Sequence, residues 1–194
     1  MGSLRMVGFW PAGRCGARFG IARGFTLIEL MVTLAVMGIV GAIAVPAFSK
    51  MISHNRLVSS SNEMIAGLQL ARAEALTRRS STVFCASTDG STCSGNVGSR
   101  WIVVSTKNGT PTVLRSVTAS PALRIVPSAN LSGTASFAFN SGGFVQVGGA
   151  SSGTLSLCAA DLAGNNAMDV SAAVVRIASA RRAAGAGCSA PGDI

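Results

Sequence analysis

The chain lacks the residues that most catalytic and metal sites require. Among its 194 residues there is a single histidine, His54, and there is no Cys-x-x-Cys pair. A Ser-His-Asp triad needs a histidine, and a zinc site needs closely spaced cysteines or histidines. A phosphate-binding loop of the G-x-x-x-x-G-K type is absent, and the acids show no spacing suited to paired-carboxylate chemistry. We therefore expect a protein that is not an enzyme and holds no metal or cofactor.

Acidic residues are also scarce, with 7 Asp and Glu against 16 Lys and Arg and a net charge of +9. The first 24 residues contain four of the arginines and no acid, and they show no helical or strand period. This composition predicts that residues 1–24 are a processing segment outside the fold. Without them the balance is 12 cations to 7 acids, or +5, which does not by itself indicate a nucleic-acid-binding protein.

No residue from 30 to 47 can carry a charge. A helix needs about 20 mainly apolar residues to cross the hydrocarbon of a bilayer, so residues 25–48 are predicted to span a membrane. Glu29 lies directly before this run. A carboxylate at the edge of hydrocarbon costs several kcal/mol unless it finds a partner, which predicts a functional role for Glu29.

The residues around Glu29 form a motif, Gly24-Phe25-Thr26-Leu27-Ile28-Glu29, followed by leucine. This motif resembles the cleavage site of type IV prepilins. The resemblance implies that a membrane peptidase, the prepilin peptidase, cuts between Gly24 and Phe25 and methylates the new amino terminus on Phe25. Residues 1–24 are then the leader. The mature chain is expected to cross the bacterial inner membrane once, with a periplasmic head, before it enters a filament.

The same resemblance gives Glu29 a role in filament assembly. After cleavage, the ammonium of Phe25 lies one helical turn from Glu29, and the ammonium of a neighbouring subunit can approach the same carboxylate. In a low dielectric such a pair is far stronger than at a surface, while an unpaired carboxylate is penalised.

Helical periodicity continues past Pro46, and we predict one helix over residues 25–79, kinked or locally broken at this proline. Residues 49–79 form its amphipathic second half, with His54 on the solvated side. The apolar stripe that packs on the head consists of Met51, Leu57, Val58, Met64, Ile65, Leu68, Ala71 and Ala75. Glu74 and Arg78 have the favourable i,i+4 order for an ion pair.

From residue 80 onward, short runs rich in Val, Ile, Thr and aromatic residues alternate with turn residues. They predict strands at 82–85, 101–104, 112–117, 123–126, 136–139, 144–147, 154–158 and 172–177. Asn108-Gly109 between two of them predicts a hairpin. The fold class is therefore α+β, with a long N-terminal helix packed on a C-terminal antiparallel, sandwich-like head at residues 80–194.

Four cysteines remain beyond the leader, and they allow three pairings. We favour Cys85 with Cys93 across the Asp89-Gly90 turn, because this pair closes only a local loop, and Cys158 with Cys188. Disulfides are typical of a periplasmic or extracellular head.

Further segments narrow the resemblance: Asn55-Arg56-Leu57, residues 68–75 followed by Arg78-Arg79, and the strand Trp101-Ile102-Val103 after a cysteine pair. They are similar to minor pilins and pseudopilins of the GspH/FimT/FimU group. This implies a subunit at or near the tip of a type IV pilus that starts assembly, with other minor and major pilins as partners. The alternative is a pseudopilin of the type II protein secretion system.

A third alternative is a tip pilin that binds DNA in natural transformation, as some FimT-type members do through a Gly-Arg-x-Arg motif. The corresponding stretch here has Ala180 for the glycine and Ala183 for the second arginine, so it departs from the motif. Arg176, Arg181 and Arg182 nevertheless form the densest positive cluster of the head and are the candidate DNA contacts. A solvated basic strand end is the competing interpretation.

Overall fold

A computed structural model describes residues 24–174 and 176–193. Residues 1–23 of the predicted leader lie outside the described residues. The helix α1 covers Leu27–Arg78, close to the predicted 25–79. Pro46 lies inside α1, and the helix continues through it, so of the two predicted alternatives, a kink or a local break, the break is wrong. The chain divides into two compact units, one up to Ala42 and one from Ile43 onward.

The unit from Ile43 onward contains two antiparallel sheets and a short helix. In chain order its elements after α1 are β1 (Ser81–Ala86), β2 (Arg100–Lys107), β3 (Thr110–Thr118), β4 (Arg124–Pro127), α2 (Ala129–Ser132), β5 (Ser136–Phe139), β6 (Val145–Gln146), β7 (Ser152–Cys158), β8 (Ala167–Ala173) and β9 (Arg176–Arg182). The first sheet has the order β3-β2-β1-β5-β6 and the second β4-β7-β8-β9. The α+β class with a helix on antiparallel sheets is confirmed.

The second half of α1 supplies one wall of the core. Five members of the predicted stripe are buried: Leu57, Met64, Leu68, Ala71 and Ala75. The other three are not, since Val58 and Ile65 are half-buried and Met51 is exposed. His54, which was predicted to be solvated, is half-buried as well. Leu57 and Met64 are also seven residues apart, so a spacing of seven did not by itself identify the face that packs on the head.

The helix approaches the first sheet closely at Gly67. A Cβ at this position would lie 2.6 Å from the ring of Phe84, so only glycine leaves room for that ring. Phe84 also contacts Trp101, with ring centroids 5.2 Å apart, and Phe137, at 6.5 Å. These side chains are fully buried, and aromatic pairs at such distances add to the stabilisation from burial.

The Asn108-Gly109 hairpin between β2 and β3 is confirmed. Both residues have positive φ, 52° and 80°, as a two-residue type I′ turn requires. The predicted strand 172–177 is wrong: β8 ends at Ala173, and Val174 with φ 43° turns the chain into β9. The run 172–177 has no Gly, Pro or Asn that would signal a turn, and its β-branched residues are typical of a continuous strand.

The loop between Cys85 and Cys93 is organised by Asp89. Its carboxylate accepts hydrogen bonds from the backbone N–H groups of Ser91 and Thr92, both at 2.9 Å, and from their hydroxyls at 2.7 and 2.8 Å. The backbone N–H of Thr92 and the hydroxyl of Ser91 are the main causes that hold the pKa of Asp89 well below its ordinary 3.8. The loop is therefore stabilised by the ionised form.

Acid is expected to loosen this loop. Because the pKa of Asp89 is lowered by folding, its stabilisation is complete above pH 3.8 and is lost as the pH falls further. In the wild type, amide hydrogen exchange at Ser91 and Thr92 should accelerate in this range relative to the intrinsic exchange rate at the same pH. In Asp89→Asn we expect fast exchange already at neutral pH and little pH dependence beyond the intrinsic one. Equal exchange profiles for the two proteins would contradict this role of Asp89.

Candidate functional site

The predicted cleavage site, between Gly24 and Phe25, lies just before α1. Thr26 accepts a hydrogen bond from the backbone N–H of Glu29 through its hydroxyl, at 3.2 Å, and its carbonyl accepts the N–H of Leu30, at 3.2 Å. Thr26 thus caps the helix. Gly24 and Phe25 precede the first helical residue, Leu27, and the Phe25 side chain is 84% exposed. The scissile bond predicted between Gly24 and Phe25 is therefore outside the helical hydrogen-bonding pattern.

Glu29 is exposed and lies in the first turn of α1. Within the described residues it forms no ion pair. A carboxylate in this turn is favoured by the partial positive charge of the helix N-terminus. Together with Gly24, Phe25 and Thr26 it borders a shallow cleft of about 390 Å³. The carboxylate is thus accessible to an external cation.

The following part of α1 is apolar and uncovered. It contains an 18-residue window with a mean hydropathy of 2.3, none of it buried, and by length and composition this helix can cross a membrane. The exposed side chains include Leu30, Leu34, Ile39 and Ile43. Apolar surface of this extent is typical of a site that contacts a membrane or another protein.

The three candidate arginines lie on β9, and the structure does not bring them together. Side chains alternate along a strand, so Arg176 and Arg182 belong to one face and Arg181 to the other. Arg176 and Arg182 are also six residues apart, or about 20 Å. Arg181 is exposed, whereas Arg182 donates to Asp169 from Nε at 2.6 Å and to the hydroxyl of Ser189 from Nη1 at 2.9 Å. Arg182 is therefore engaged within the fold.

Two disulfides close the head, and they are the pairs favoured above. Cys85 and Cys93 have Cα atoms 5.5 Å apart, and Cys158 and Cys188 have Cα atoms 5.9 Å apart. The second bridge holds the C-terminal tail, residues 183–193, on β7. Buried Asn166 adds to this attachment, because its side chain donates to the carbonyl of Gly185 at 2.8 Å and accepts the N–H of Ala184 at 2.8 Å. No group of three or more potential metal ligands occurs in the described part of the chain.

Two known families match this chain, one over residues 60–180 and one over residues 21–45. Residues 60–180, more than half of the chain, match the family described as type II transport protein GspH. The chain belongs to the GspH family. Residues 21–45 match the prokaryotic N-terminal methylation motif, which includes Gly24, Phe25 and Glu29.

Individual relatives of this GspH-family chain are pilins. The type IV major alpha-pilin of Moraxella bovis is 49% identical over 45 residues, which cover 23% of this chain and 28% of that protein. The type IV major fimbrial protein FimA of Dichelobacter nodosus (strain VCS1703A) is 34% identical over 94 residues, or 47% and 54% of the two chains. The matched segments thus span between a quarter and about half of these relatives.

Among solved structures, the type IV minor pilin FimU of Pseudomonas aeruginosa (strain PAO1) is similar, with a TM-score of 0.48 and 20% identity. The likeness covers 64% of this chain and 88% of that one. The apolar helix and the methylation motif together indicate membrane anchoring.

Sequence reasoning missed one buried polar cluster of this GspH-family chain. Arg182, Asp169 and Ser156 come from three neighbouring strands, and Arg182 donates from Nη2 to the Ser156 hydroxyl at 3.2 Å. The alternation of apolar and polar residues along β8 was the sequence signal that could have revealed this cluster. In β8, Met168 and Val170 alternate with Asp169, so the alternation predicts both the strand and the face on which this acid lies.

The tail disulfide should contribute more to stability than the loop disulfide. Cys158 and Cys188 are 30 residues apart, against 8 for Cys85 and Cys93, and loop entropy gives about 3.5 and about 2.5 kcal/mol. The double variant Cys158→Ser, Cys188→Ser should therefore melt about 10 °C lower than the wild type. Thermal unfolding followed by circular dichroism measures the shift. A larger loss in Cys85→Ser, Cys93→Ser would contradict this ranking.

Proposed function

We propose that this chain is a minor pilin, processed by prepilin peptidase and incorporated at or near the tip of a type IV pilus, where it starts assembly. The observation that carries the proposal is the location of Glu29. This carboxylate lies within the match to the methylation motif, borders a largely uncharged apolar helix and is unpaired within the described residues. A filament of packed helices supplies the missing cation.

Cleavage after Gly24 creates that cation. The new ammonium on Phe25 would be one turn from Glu29, and methylation of Phe25 retains its positive charge. An amine from a neighbouring subunit can reach the same exposed carboxylate. Inside a helix bundle the attraction between such charges is several times stronger than in water. Processing and assembly are thus coupled, because the uncleaved chain lacks the amine.

The compartments follow from the same proposal. Residues 25–48 span the inner membrane, residues 49–79 connect to the head, and residues 80–194 form the periplasmic head. The two disulfides support an oxidising compartment. The described residues hold no cluster of potential metal ligands, and we propose a structural role without enzymatic activity.

Quantitative mass spectrometry of sheared surface filaments tests the proposed role. A minor tip subunit should be present in a small, fixed amount relative to the major pilin, and its deletion should reduce the number of filaments more than their length. If the chain is instead a pseudopilin, deletion should block secretion of exported proteins and leave surface filaments unchanged. A copy number equal to that of the major pilin would contradict the minor role.

DNA binding is the remaining alternative. Arg176 and Arg181 favour it, since both side chains are exposed and, within the described residues, form no hydrogen bond or ion pair, whereas Arg182 is tied to Asp169. Phosphate contacts by two arginines would give weak, salt-dependent binding. If this alternative is correct, Arg181→Ala should weaken the retardation of DNA by the detergent-solubilised chain at low salt. Unchanged DNA mobility with the wild type would remove the alternative.

A further inference from the structure

The second sheet has a polar outer face. Leu155, Met168 and Val170 point into the core, so alternating residues such as Thr154 and Asp169 point to the opposite side. Outer faces of antiparallel sheets are usually solvated. This one is partly covered, since Thr154 is only 1% exposed.

The cover is the C-terminal tail, residues 183–193. It is held by the Cys158–Cys188 bridge and by Arg182, whose Nη2 donates to the carbonyl of Ser189 at 2.9 Å. Near its end, the carboxylate of Asp193 accepts the backbone N–H of Asn130 at 3.2 Å. The tail is thus tied at both ends.

Under one end of the tail the polar groups of the sheet are satisfied. The side chains of Asp169 and Arg182 are mostly buried and paired, and Arg182 also donates to Ser156. The negative charge of Asp169 is therefore compensated within the fold.

The other end is open. A cleft of about 310 Å³ lies there, a volume at the lower end of the range for small-ligand sites. Thr154, Ser171, Arg176, Ala178 and Gly192 of the tail line it. The hydroxyl of Thr154 is buried and has no hydrogen-bond partner within the described residues, which costs free energy until a partner arrives.

The cleft also has an uncompensated positive charge. Arg176 is exposed, and within the described residues its side chain forms no ion pair or hydrogen bond. Among the described residues that line the cleft, Asp169 is the only acid, and it is already paired with Arg182. The net charge along the cleft therefore favours an anionic ligand.

The spacing of the two anchoring groups indicates how long this ligand is. Thr154 pairs with Ser171, and Ser171 pairs with Ala178, so the three residues form a row across the strands. Arg176 lies two residues from Ala178 on the same face. Strand spacing and rise place Thr154 and Arg176 about 12 Å apart, the length of three to four extended residues. The small side chain of Ala178 between them leaves room for a backbone.

We propose that this cleft binds an extended peptide segment of a partner polypeptide that carries an Asp or Glu side chain. The carboxylate pairs with Arg176, and a backbone N–H of the peptide donates to the Thr154 hydroxyl. Nucleic acid fits less well, because a single arginine between alanine side chains cannot follow a row of phosphates. The proposal does not depend on the role of Glu29 in assembly.

The test uses the full chain in detergent micelles, labelled with ¹⁵N, at physiological salt. The probes are the peptide acetyl-Ala-Ala-Asp-Ala-amide and its Asn analogue. We expect the Asp peptide to shift the amide signals of Ser171, Ala178 and Gly192 and to bind about tenfold more tightly than the Asn peptide. Acetate alone should shift these signals much less, because it reaches only one anchor.

Two arginine variants form a matched pair, since each removes one positive charge from an exposed position on β9. Arg176→Gln should abolish the preference for the Asp peptide, and Arg181→Gln, on the other face, should preserve it. Thr154→Val should weaken the binding of the Asp and Asn peptides to a similar extent. It should also raise the melting temperature of the free protein by about 3 °C.

Four results would overturn the proposal: no shift at these amides, equal binding of the two peptides, the same loss in Arg181→Gln as in Arg176→Gln, or tighter binding of a DNA duplex at the same amides. Because both arginines are exposed, loss of folding is not expected to obscure the comparison.

Discussion

Glu29→Ala is expected to reduce incorporation into filaments by roughly 100-fold while the protein remains in the membrane. Removing one partner of a buried ion pair costs about 3 kcal/mol or more, because the other charge is left unpaired, and this corresponds to at least 100-fold in association. Glu29 is exposed and forms no ion pair within the described residues, so we expect the head to fold normally without its carboxylate. Immunoblots of sheared filaments and of membranes measure the two pools.

The matched control is Glu63→Gln, which removes a carboxylate from the same helix. Glu63 pairs with Arg115 at 2.5 Å, but its side chain is 50% exposed, so this pair is worth at most about 1 kcal/mol. Incorporation of Glu63→Gln should be close to that of the wild type. If Glu29→Ala were incorporated as well as Glu63→Gln, the proposed ion pair would not drive assembly.

Gly24→Val should block processing and trap the full precursor in the membrane. A peptidase that cuts between Gly24 and Phe25 must accommodate residue 24 directly, and a branched side chain is expected to reduce cleavage by at least tenfold. The described part of the fold does not oppose the substitution, since apart from its chain neighbours no described residue has an atom within 4 Å of a Cβ at Gly24. Electrophoretic mobility of the chain, with and without co-expressed peptidase, measures the cleaved fraction.

Gly41→Val is the matched control, because a Cβ at Gly41 also meets nothing within 4 Å. This variant keeps the motif from Gly24 to Glu29 and should be cleaved like the wild type. Efficient cleavage of Gly24→Val, or equal loss in both variants, would show that residue 24 does not define the processing site.

Much of the helix and of the first sheet was predictable because local signals agreed with the final structure. Steps of three, four or seven identified Leu57, Met64 and Leu68, and these residues are buried. Asn108-Gly109 predicted the β2–β3 hairpin, because few other residue pairs adopt positive φ at both positions. Such signals depend on a few neighbouring residues and need no tertiary information.

The end of the chain was less predictable because its turn carries no usual turn residue. Val174 adopts φ 43° between β8 and β9, a conformation that β-branched residues rarely take. Its N–H donates to the carbonyl of Ser151 at 2.8 Å, and its carbonyl accepts the N–H of Val145 at 3.1 Å. Contacts that are distant in sequence thus fix this turn.

The same limit applies to the basic strand. In sequence, Arg181 and Arg182 form one positive patch with Arg176, but strand alternation separates Arg181 from the other two. The pairing of Arg182 with Asp169 depends on the register of β8 with β9. The clustering of arginines in the sequence could not reveal which of their side chains pair with an acid in the fold.

Mass spectrometry of the chain purified from its native envelope tests the central claim most directly. The account predicts a mature protein that begins at Phe25, with one methyl group on its amino nitrogen and no trace of residues 1–24. An intact first residue or a cut after the apolar helix would contradict it, because Glu29 would then lack the amine that its position requires. An unmethylated amine on Phe25 would contradict the predicted methylation.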